Sequence, residues 1–533
     1  MIRFSGIEHG LPGIYHPDEP IVVSRAINAV INGNLNPKFF HWPGFLIYLL
    51  TIEYEIAYQI GRLIGMFSNT EDLFKEYSIH RGNFHELGRF LVVLMSTGIG
   101  YYVFRILRMW KNYETAFWGL FLCTLNLMLI KHGQFITPDV PALFFATICI
   151  YYLAKYYFGG RKVSAIYLAA VMAGLATATK YNYALMLVPI LIQIFTSGDL
   201  KIARRFLIAA ISGIITLGVF LAFNPFIIID FKTFLFQFNE ISIHLKEGHI
   251  GMEAGGHPSW KIIKYLIDEN GILFFVLALS GIFLDSKANR QWLITLLSFP
   301  VLILISHGRW DVTADRYAIP MLLALIPLCA VSLQVLTSAK TNLWKYVRWS
   351  LIVITIFQIS FLTQHFIWTQ ALPENRELAH NWIDKSIRAG SKIVIEKDGP
   401  DLRCQHAGSK YHNDPAYYFI VLTPWYGTSF RTEKTPMETL IENRPEYVII
   451  NSGVYSRYEP GSSSQTAFPE IYKVWNNYYE FLKSTGEPVY DTRDARFTST
   501  GPEVVIYKIP ETVWDTLVPV KTSNPDDSQT DIE

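Results

Sequence analysis

The sequence predicts a polytopic α-helical membrane protein with a soluble α/β domain at its C-terminal end. The chain of 533 residues is 51% hydrophobic with a mean hydropathy of +0.23, and it contains ten apolar runs near the length of a membrane-crossing helix. Basic residues concentrate in every second connection between these runs. Beyond Gln370 the composition becomes that of a water-soluble domain.

The ten predicted spans follow one another closely, and several are at the short end of the length that a bilayer requires. They are residues 90–108, 115–131, 139–158, 163–179, 182–197, 205–229, 262–284, 291–306, 318–337 and 349–367. The basic clusters around Arg105, Lys155, Lys201, Lys287 and Lys340 mark alternate loops as cytoplasmic. The unusual polar residues and the C-terminal domain therefore fall on the opposite, non-cytoplasmic side.

Four regions are predicted from these changes in composition. They are a first outer loop with juxtamembrane helices (1–89), a transmembrane helical domain (90–367), an extracytoplasmic α/β domain (368–518) and a disordered tail (519–533). In the third region, PENRELAHNWIDKSIRAG is typical of an amphipathic helix, and SKIVIE, PEYVIINS and EVVIYKI are typical of strands.

The stretch from Ile14 to Phe45 holds two adjacent carboxylates, Asp18 and Glu19, between a His-Pro turn and a short amphipathic helix. Apolar residues recur at helical spacing up to Asn32-Gly33-Asn34, which ends the helix. Local sequence favours a capped interfacial helix, because aspartates that cap helices are common and catalytic ones are rare. The position of the stretch beside a membrane domain keeps a catalytic interpretation open.

Other charged residues lie at the predicted outer ends of spans. Taken singly, Asp139 in TPDVP fits a helix cap, Lys180 in TKYNY fits a snorkelling lysine, and Arg309 and Arg316 in SHGRWDVTADRY fit surface ion pairs. Lys180 is nevertheless a cation on the side where the positive-inside bias depletes them. Together, carboxylates, a lysine and arginines on one membrane face suit an anionic lipid head group.

Metal and nucleic-acid sites find little support. Histidines are frequent on the outer side, yet no HxxxH or HExxH spacing occurs, so no metal is predicted and a divalent cation is only left open. A net charge of +1 gives no basic face for nucleic acid. The four cysteines, Cys404 among them, show no CxxC spacing and imply no disulfide framework.

The segment from Pro43 to Phe67 is apolar but carries Glu53 and Glu55 near its middle. Carboxylates in the centre of a bilayer are costly, so this segment is predicted to lie in the interface as a juxtamembrane helix. Met1 to Pro12 then contains no apolar stretch that would export the first outer loop. We expect a first transmembrane helix to be missing because the start is placed too late.

The motifs YHPDEP, NLNPKFFHWPGF, TPDVPALFF, GLATATKYNYALML and DRYAIPMLLAL, with the terminal GPEVVIYKI, resemble the GT-C membrane glycosyltransferases. The nearest groups are relatives of the dolichyl-phosphate-mannose protein mannosyltransferases and of the lipid A aminoarabinose transferase. The resemblance extends from Gly10 to about Pro510. Members of this family normally have a transmembrane helix before the acidic loop, and this chain departs from them there.

The resemblance implies an enzyme that transfers a sugar from a polyprenyl-phosphate donor, with inversion, on the non-cytoplasmic side of the plasma membrane. The acceptor is open between protein, lipid and polysaccharide, and membrane lipid is a further partner. Asp18 then matches the catalytic carboxylate, with Glu19 as its positioning neighbour. The remaining candidate site residues are Lys180, Arg316 and Arg309 for the donor phosphate, and His16, Asp139, Tyr181 and His249 for substrate binding or support.

Two functions of other classes remain as alternatives. A transporter of a lipid or anionic solute would show duplicated halves and polar groups deep within its spans, and neither is clear in this sequence. A scaffold would use its outer α/β domain to bind a partner and would have no groove between the first outer loop and the membrane.

Overall fold

The computed structural model describes residues 2–198, 200–251, 256–285, 289–338, 345–402, 417–423, 434–495 and 498–517. Their described parts form two compact units, which divide between Pro373 and Glu374. We call residues 2–373 the membrane unit and residues 374–517 the C-terminal unit. Cys404 and the predicted disordered tail, 519–533, lie outside the described residues.

The membrane unit is helical throughout its described length. Its α-helices are α1 (Glu19–Asn32), α2 (Phe45–Leu63), α3 (Thr70–Ile79), α4 (Arg81–Trp110), α5 (Tyr113–Leu125), α6 (Leu127–Lys131), α7 (Asp139–Phe158), α8 (Val163–Thr179), α9 (Leu187–Phe195), α10 (Ile202–Ala222), α11 (Phe226–Ile229), α12 (Phe231–Glu247), α13 (Pro258–Asn270), α14 (Ile272–Asp285), α15 (Arg290–His307), α16 (Leu322–Ser338) and α17 (Lys345–Gln370). Four 3-10 helices join them: Ile2–Phe4, His132–Gln134, Tyr181–Met186 and Asp315–Met321.

The chain is an integral, multi-pass membrane protein, and its described part contains six helices that are each long and apolar enough to span a bilayer. Two bent pairs, α5 with α6 to Gln134 and α13 with α14, raise the number to eight. The remaining two predicted spans correspond to α8 and to Tyr181–Phe195, which are shorter apolar helices. All ten predicted apolar runs are therefore helical in the structure. Six to eight of them are long and apolar enough to count as membrane spans.

Helix α1 forms where the apolar periodicity predicts it, and it ends at Gly33. There the backbone has φ 64°, a left-handed conformation that glycine adopts without steric cost. Its buried face includes Val22, Val23 and Ala26, which pack with α2 and α3 in a small apolar core of their own. The region predicted as the first outer loop therefore contains packed helices with an apolar core.

Helix α2 covers the segment predicted to lie in the interface, and it is not among the helices that qualify as spans. Its faces differ: Leu46, Leu50 and Tyr54 are fully buried, whereas Ile52 and Ile56 are more than half exposed. Burial raises the pKa of Glu53 on the same helix to about 7. A helix with one face against protein and an opposite exposed apolar face suits the membrane surface.

The C-terminal unit is a mixed sheet with helices. Its α-helices are α18 (Asn375–Ser386), α19 (Pro436–Asn443), α20 (Ser452–Tyr455), α21 (Ser463–Ala467), α22 (Pro469–Thr485) and α23 (Glu511–Thr516), and its strands are β1 (Lys392–Glu396), β2 (Tyr418–Leu422), β3 (Tyr447–Asn451), β4 (Glu487–Asp491) and β5 (Val504–Lys508). The strand order is β2-β1-β3-β5-β4, with β1 parallel to both β2 and β3 and with β5 antiparallel to both β3 and β4. The predicted helix is α18, and the three predicted strands are β1, β3 and β5.

Candidate active site

The polar residues at the ends of several helices of the membrane unit converge on one cavity of about 620 Å³. Asp18, which precedes α1, lines it together with Asp139 at the start of α7. Lys180 and Arg316, at the starts of two separate 3-10 helices, complete the charged part of its wall. The volume is in the range of small-molecule sites in proteins. We call this the Asp18 cavity.

The Asp18 carboxylate makes no capping hydrogen bond to α1. Instead its Oδ2 atom lies 3.2 Å from Nη1 of Arg316, and both side chains keep part of their surface exposed, 21% and 30%. The backbone N–H of Asp18 donates to Nδ1 of His16, whose pKa burial lowers, so this ring is neutral and can accept. The interpretation of Asp18 as a helix cap is therefore wrong, because its carboxylate forms an ion pair with Arg316, 298 positions later in the chain.

A second ion pair in the Asp18 cavity joins Lys180 to Asp139. The Lys180 ammonium also lies 5.4 Å from the centre of the Tyr317 ring, a distance typical of a cation–π contact. Lys180 follows α8 directly and Tyr181 begins the next 3-10 helix, where its hydroxyl donates to the Phe40 carbonyl at 3.2 Å. The turn between two short apolar helices thus points both residues into the cavity.

Glu19 lies away from the cavity and is fully buried. Arg89 of α4 donates to both of its carboxylate oxygens, at 2.8 and 2.7 Å, and the Ile136 N–H donates to Oε1 at 3.0 Å. Arg89 also donates to the carbonyls of Ile7 and His9. This Glu19–Arg89 pair ties α1, α4 and the segment before Asp139 together, and Glu19 is not part of the cavity lining.

Arg316 is positioned by a separate network on its own side. Lys131 donates to Asp315 at 2.6 Å and to Glu269 at 2.8 Å, and His132 lies 3.5 Å from the same Asp315 oxygen. Asp315 in turn accepts from the Arg316 N–H at 2.7 Å. The start of the 3-10 helix that carries Arg316 is thereby anchored to α6 and α13.

Helix α12 closes one wall of the cavity with Phe238, Ile241, Leu245 and Lys246. It contains no fully buried residue and is attached through polar contacts to the loop before α2. Its preceding residue, Asp230, accepts from Lys38 at 2.7 Å and from Asn36 at 2.9 Å, and these hydrogen bonds hold the pKa of Asp230 well below its usual range.

The predicted site residues divide into two groups. Asp18, Asp139, Lys180, Tyr181 and Arg316 line the cavity. The cavity lining does not include His16, Glu19, Arg309 or His249. His16 and Glu19 lie next to Asp18 in the chain, whereas Arg309 is exposed and His249 packs against His244.

Sequence reasoning missed several residues of the lining. Trp42, Asn182 and Trp310 lie within the quoted motifs but are not among the predicted site residues, and neither is Lys246. Within the described chain, Nε1 of Trp42 and Oδ1 of Asn182 are buried without a hydrogen-bond partner. The available signal is their place within NLNPKFFHWPGF and TKYNY, two of the motifs that carry the resemblance. Among the described residues there is no group of three or more His, Cys, Asp or Glu side chains that could hold a metal ion.

Comparison with known structures places this architecture. The apo structure of ArnT from Cupriavidus metallidurans aligns with 96% of this chain and 96% of its own, with a TM-score of 0.53 and 13% sequence identity. Residues 65–246 match the family model of dolichyl-phosphate-mannose-protein mannosyltransferase. The chain has the fold of the GT-C membrane glycosyltransferases. The predicted resemblance and fold class are therefore confirmed.

Two further solved structures give similar alignments. ArnT from Cupriavidus metallidurans with bound undecaprenyl phosphate shows 12% identity over 95% of this chain and 96% of its own, with a TM-score of 0.52. The Archaeoglobus fulgidus oligosaccharyltransferase tethered to an acceptor peptide shows 12% identity over 95% of this chain and 72% of its own, with a TM-score of 0.50. At these identities the likeness concerns the fold alone. No curated protein sequence matches the chain.

Proposed function

We propose that the protein transfers a sugar from a polyprenyl-phosphate donor to an acceptor on the non-cytoplasmic side of the membrane. The observation that carries this proposal is the Asp18 cavity, in which a partly exposed carboxylate and three cations line one space in a GT-C fold. The undecaprenyl phosphate bound to ArnT supports the donor class. Inverted repeats, which a transporter would be expected to show, are not evident in the sequence.

The chemistry requires one base and positive charge near the leaving group. The acceptor hydroxyl attacks the anomeric carbon as the bond from that carbon to the phosphate oxygen breaks, and the electron pair leaves with the polyprenyl phosphate. A phosphate departs as a stable anion, so no general acid is needed on it. Asp18 accepts the hydroxyl proton, and attack opposite the leaving group inverts the configuration.

Arg316 has capacity for both roles that this step demands. Its guanidinium carries five N–H donors, and the ion pair with Asp18 engages one of its nitrogens, Nη1. The remaining donors can reach a phosphate, while the contact with Asp18 orients that carboxylate toward the cavity. Trp42 and Asn182 offer a buried donor and a buried acceptor for sugar hydroxyls in the same space.

The charges in the cavity leave one cation for the donor phosphate. Lys180 is paired with Asp139 and Arg316 with Asp18, so each of these cations is already balanced by a carboxylate. Lys246, at the end of α12, is exposed at the cavity and shows no ion pair within the described chain. We infer that Lys246 meets the phosphate first and that Lys180 and Arg316 stabilise the charge that develops as the sugar leaves.

Replacement of Asp18 by Asn tests the proposal. Membranes with the full chain are supplied with a panel of labelled dolichyl- and undecaprenyl-phosphate monosaccharides, and label is measured in protein, lipid and polysaccharide. Because general-base catalysis contributes roughly 10²–10⁴-fold, Asp18→Asn is expected to lower transfer by that factor. Asp311→Asn is the matched control, since Asp311 lies shortly before the 3-10 helix that carries Arg316 but outside the cavity lining.

Two results would contradict the proposal. The first is transfer at the wild-type rate by a correctly inserted Asp18→Asn variant, which would refute the assignment of Asp18 as the base. The second is the absence of sugar transfer by the wild-type protein from every lipid-phosphate donor in the panel, which would refute the proposed class of donor.

Replacement of Lys246 by Gln tests the phosphate contact. The change is expected to raise KM for the donor by about 3–10-fold with little change in kcat, and to weaken the dependence of KM on salt, because an exposed charge acts mainly on encounter. Lys232→Gln is the control, as Lys232 is an exposed lysine on the same helix outside the lining. An equal effect of both variants would show general membrane electrostatics and refute the specific contact.

A further inference from the structure

The C-terminal unit contains a cavity of its own, of about 160 Å³, on the side of the sheet that α22 covers. Tyrosine side chains form much of its wall: Tyr455 and Tyr458 follow β3, Tyr479 belongs to α22 and Tyr507 to β5. Asn476 of α22 supplies a polar group. We call this the Tyr479 cavity; all of its lining lies within the C-terminal unit.

The Tyr479 cavity lies near the carboxyl ends of two parallel strands, where open α/β sheets usually bind ligands. Glu396 is the last residue of β1 and Asn451 the last of β3. The Glu396 carboxyl accepts from the Asn451 N–H at 2.9 Å and from the Tyr479 hydroxyl at 2.7 Å, and it is fully buried. These bonds fix the Tyr479 ring against the strand ends.

The aromatic wall is rigid as well as apolar. Tyr458 stacks on Trp475 with ring centroids 5.0 Å apart and planes 7° from parallel, and both rings are almost completely buried. Tyr455 is only partly buried and donates its hydroxyl to Glu503 at 2.8 Å. A ligand that enters therefore meets ring surfaces already held in place and loses little free energy to their ordering.

The polar groups at the rim carry both signs of charge. Arg493, Lys483 and Glu459 line the cavity and are exposed, and within the described chain Arg493 is already paired with Asp491 and Lys483 with Glu480. This balance disfavours a nucleotide or another polyphosphate, which would need an excess of cations. A pyranose ring fits the combination better, because its C–H face packs on tyrosine rings while its hydroxyls bond to an amide, a guanidinium and a carboxylate.

We propose that the Tyr479 cavity binds one saccharide ring of the acceptor, apart from the Asp18 cavity where the donor would bind. The volume suits a single ring and excludes a folded oligosaccharide. That the saccharide belongs to the acceptor rests on the proposed transferase function; that the cavity binds a saccharide does not.

The test is saturation-transfer difference NMR on the full chain in lipid nanodiscs. The probes are the methyl glycosides of mannose, glucose, galactose and N-acetylglucosamine, at millimolar concentration. At least one glycoside is expected to receive saturation from the protein, and Asn476→Ala is expected to reduce that signal at least fivefold. Asn477→Ala is the matched control, since Asn477 is the exposed neighbour outside the lining.

Asn476→Ala removes only a partly buried amide, and Tyr455→Ala serves as a second variant that removes a ring. Absence of any signal on the wild-type protein, or an equal signal from the Asn476→Ala and wild-type proteins, would overturn the proposal. Asp18→Asn should leave the signal unchanged. A failure of saccharide binding is therefore distinguishable from a failure of transfer, which the lipid-phosphate sugar assay measures separately.

Discussion

Two glutamates, one in each unit, are equally buried, and their pKa values are shifted in opposite directions. Glu19 in the membrane unit is 0% exposed and Glu396 in the C-terminal unit is 1% exposed. Burial alone would raise the pKa of Glu19, but the adjacent Arg89 charge and its two hydrogen bonds outweigh burial and hold the pKa below its usual range. Within the described chain, the Glu396 carboxyl accepts hydrogen bonds from the Asn451 N–H and the Tyr479 hydroxyl, and burial raises its pKa to about 8.

The comparison teaches that the partner, not the depth, decides what a buried carboxyl does. An ionised Glu19 serves as one half of a salt bridge that joins distant segments of the chain. A protonated Glu396 serves as a neutral hydrogen-bonding group between strand ends and α22. The same substitution, Glu to Gln, should therefore have opposite consequences at the two positions.

The largest effect is expected for Glu19→Gln. A neutral amide leaves the buried Arg89 charge uncompensated, which typically costs about 3–5 kcal/mol and, for a unit of this length, corresponds to a fall in melting temperature of roughly 4–6 °C. Thermal melting of the purified protein in detergent measures it. Glu8→Gln, an exposed glutamate in the same N-terminal segment, is the control and should melt like the wild-type protein.

A double variant sharpens this result. Replacing both charges, as in Glu19→Leu with Arg89→Met, removes the unpaired cation and should recover much of the lost stability. If the Glu19→Gln protein has the same melting temperature as the wild-type protein, the Glu19–Arg89 pair contributes nothing to stability, and the contrast with Glu396 is lost. Acid should act in the same direction: because the folded pKa of Glu19 lies below 4.5, its contribution is lost as pH falls below that value.

The second prediction concerns Glu396→Gln, which should be tolerated at neutral pH. Since the folded pKa is about 8 and the unfolded value about 4.5, the folded state binds one more proton than the unfolded state between these values. Stability of the C-terminal unit should therefore fall as pH rises from 5 to 8. Gln mimics the protonated acid and should remove this slope, so that the variant is more stable than the wild-type protein at pH 8.

Hydrogen exchange of peptides from β1 and α22, corrected for the intrinsic effect of pH, measures this pH dependence of local stability in the full chain. Glu470→Gln, an exposed glutamate on α22, should keep the wild-type slope. An unchanged slope in Glu396→Gln would show that another group titrates or that Glu396 is ionised.

The sequence predicts a strand of the sheet where burial of that strand in the folded protein leaves an apolar run in the sequence. The three strands found from the sequence, β1, β3 and β5, are the central strands of the sheet, whose double-sided burial makes continuous apolar runs. The two missed strands, β2 and β4, are its edges. EPVYD of β4 begins and ends with a charged residue, contains a proline, and has no fully buried residue, so it gives no apolar run.

For the candidate site, the sequence found charged residues but could not tell which atoms meet. Nothing local distinguishes Asp18, which lines a cavity, from Glu19, which is buried outside it; adjacent side chains simply point to different sides. Arg309 and Trp310 show the same effect, with the charged residue outside the lining and its neighbour inside. Arg89 and Lys131 were missed because their partners come from other segments, although a charge within an apolar run is itself a signal of function.

The smallest effect is expected for Tyr479→Phe, which removes one hydrogen bond from Glu396 and leaves the rest of the ring in place. Loss of a single hydrogen bond should reduce the exchange protection of β1 by about 0.5–1.5 kcal/mol. The bond from the Tyr479 hydroxyl stabilises the ionised carboxylate, so its removal should also raise the pKa of Glu396 further. The fall in stability with rising pH should then extend to higher pH than in the wild-type protein. A shift to lower pH would mean that the Tyr479 hydroxyl accepts a hydrogen bond from the protonated Glu396 carboxyl. The contrast between the two glutamates would then rest on hydrogen-bond direction as well as on Arg89.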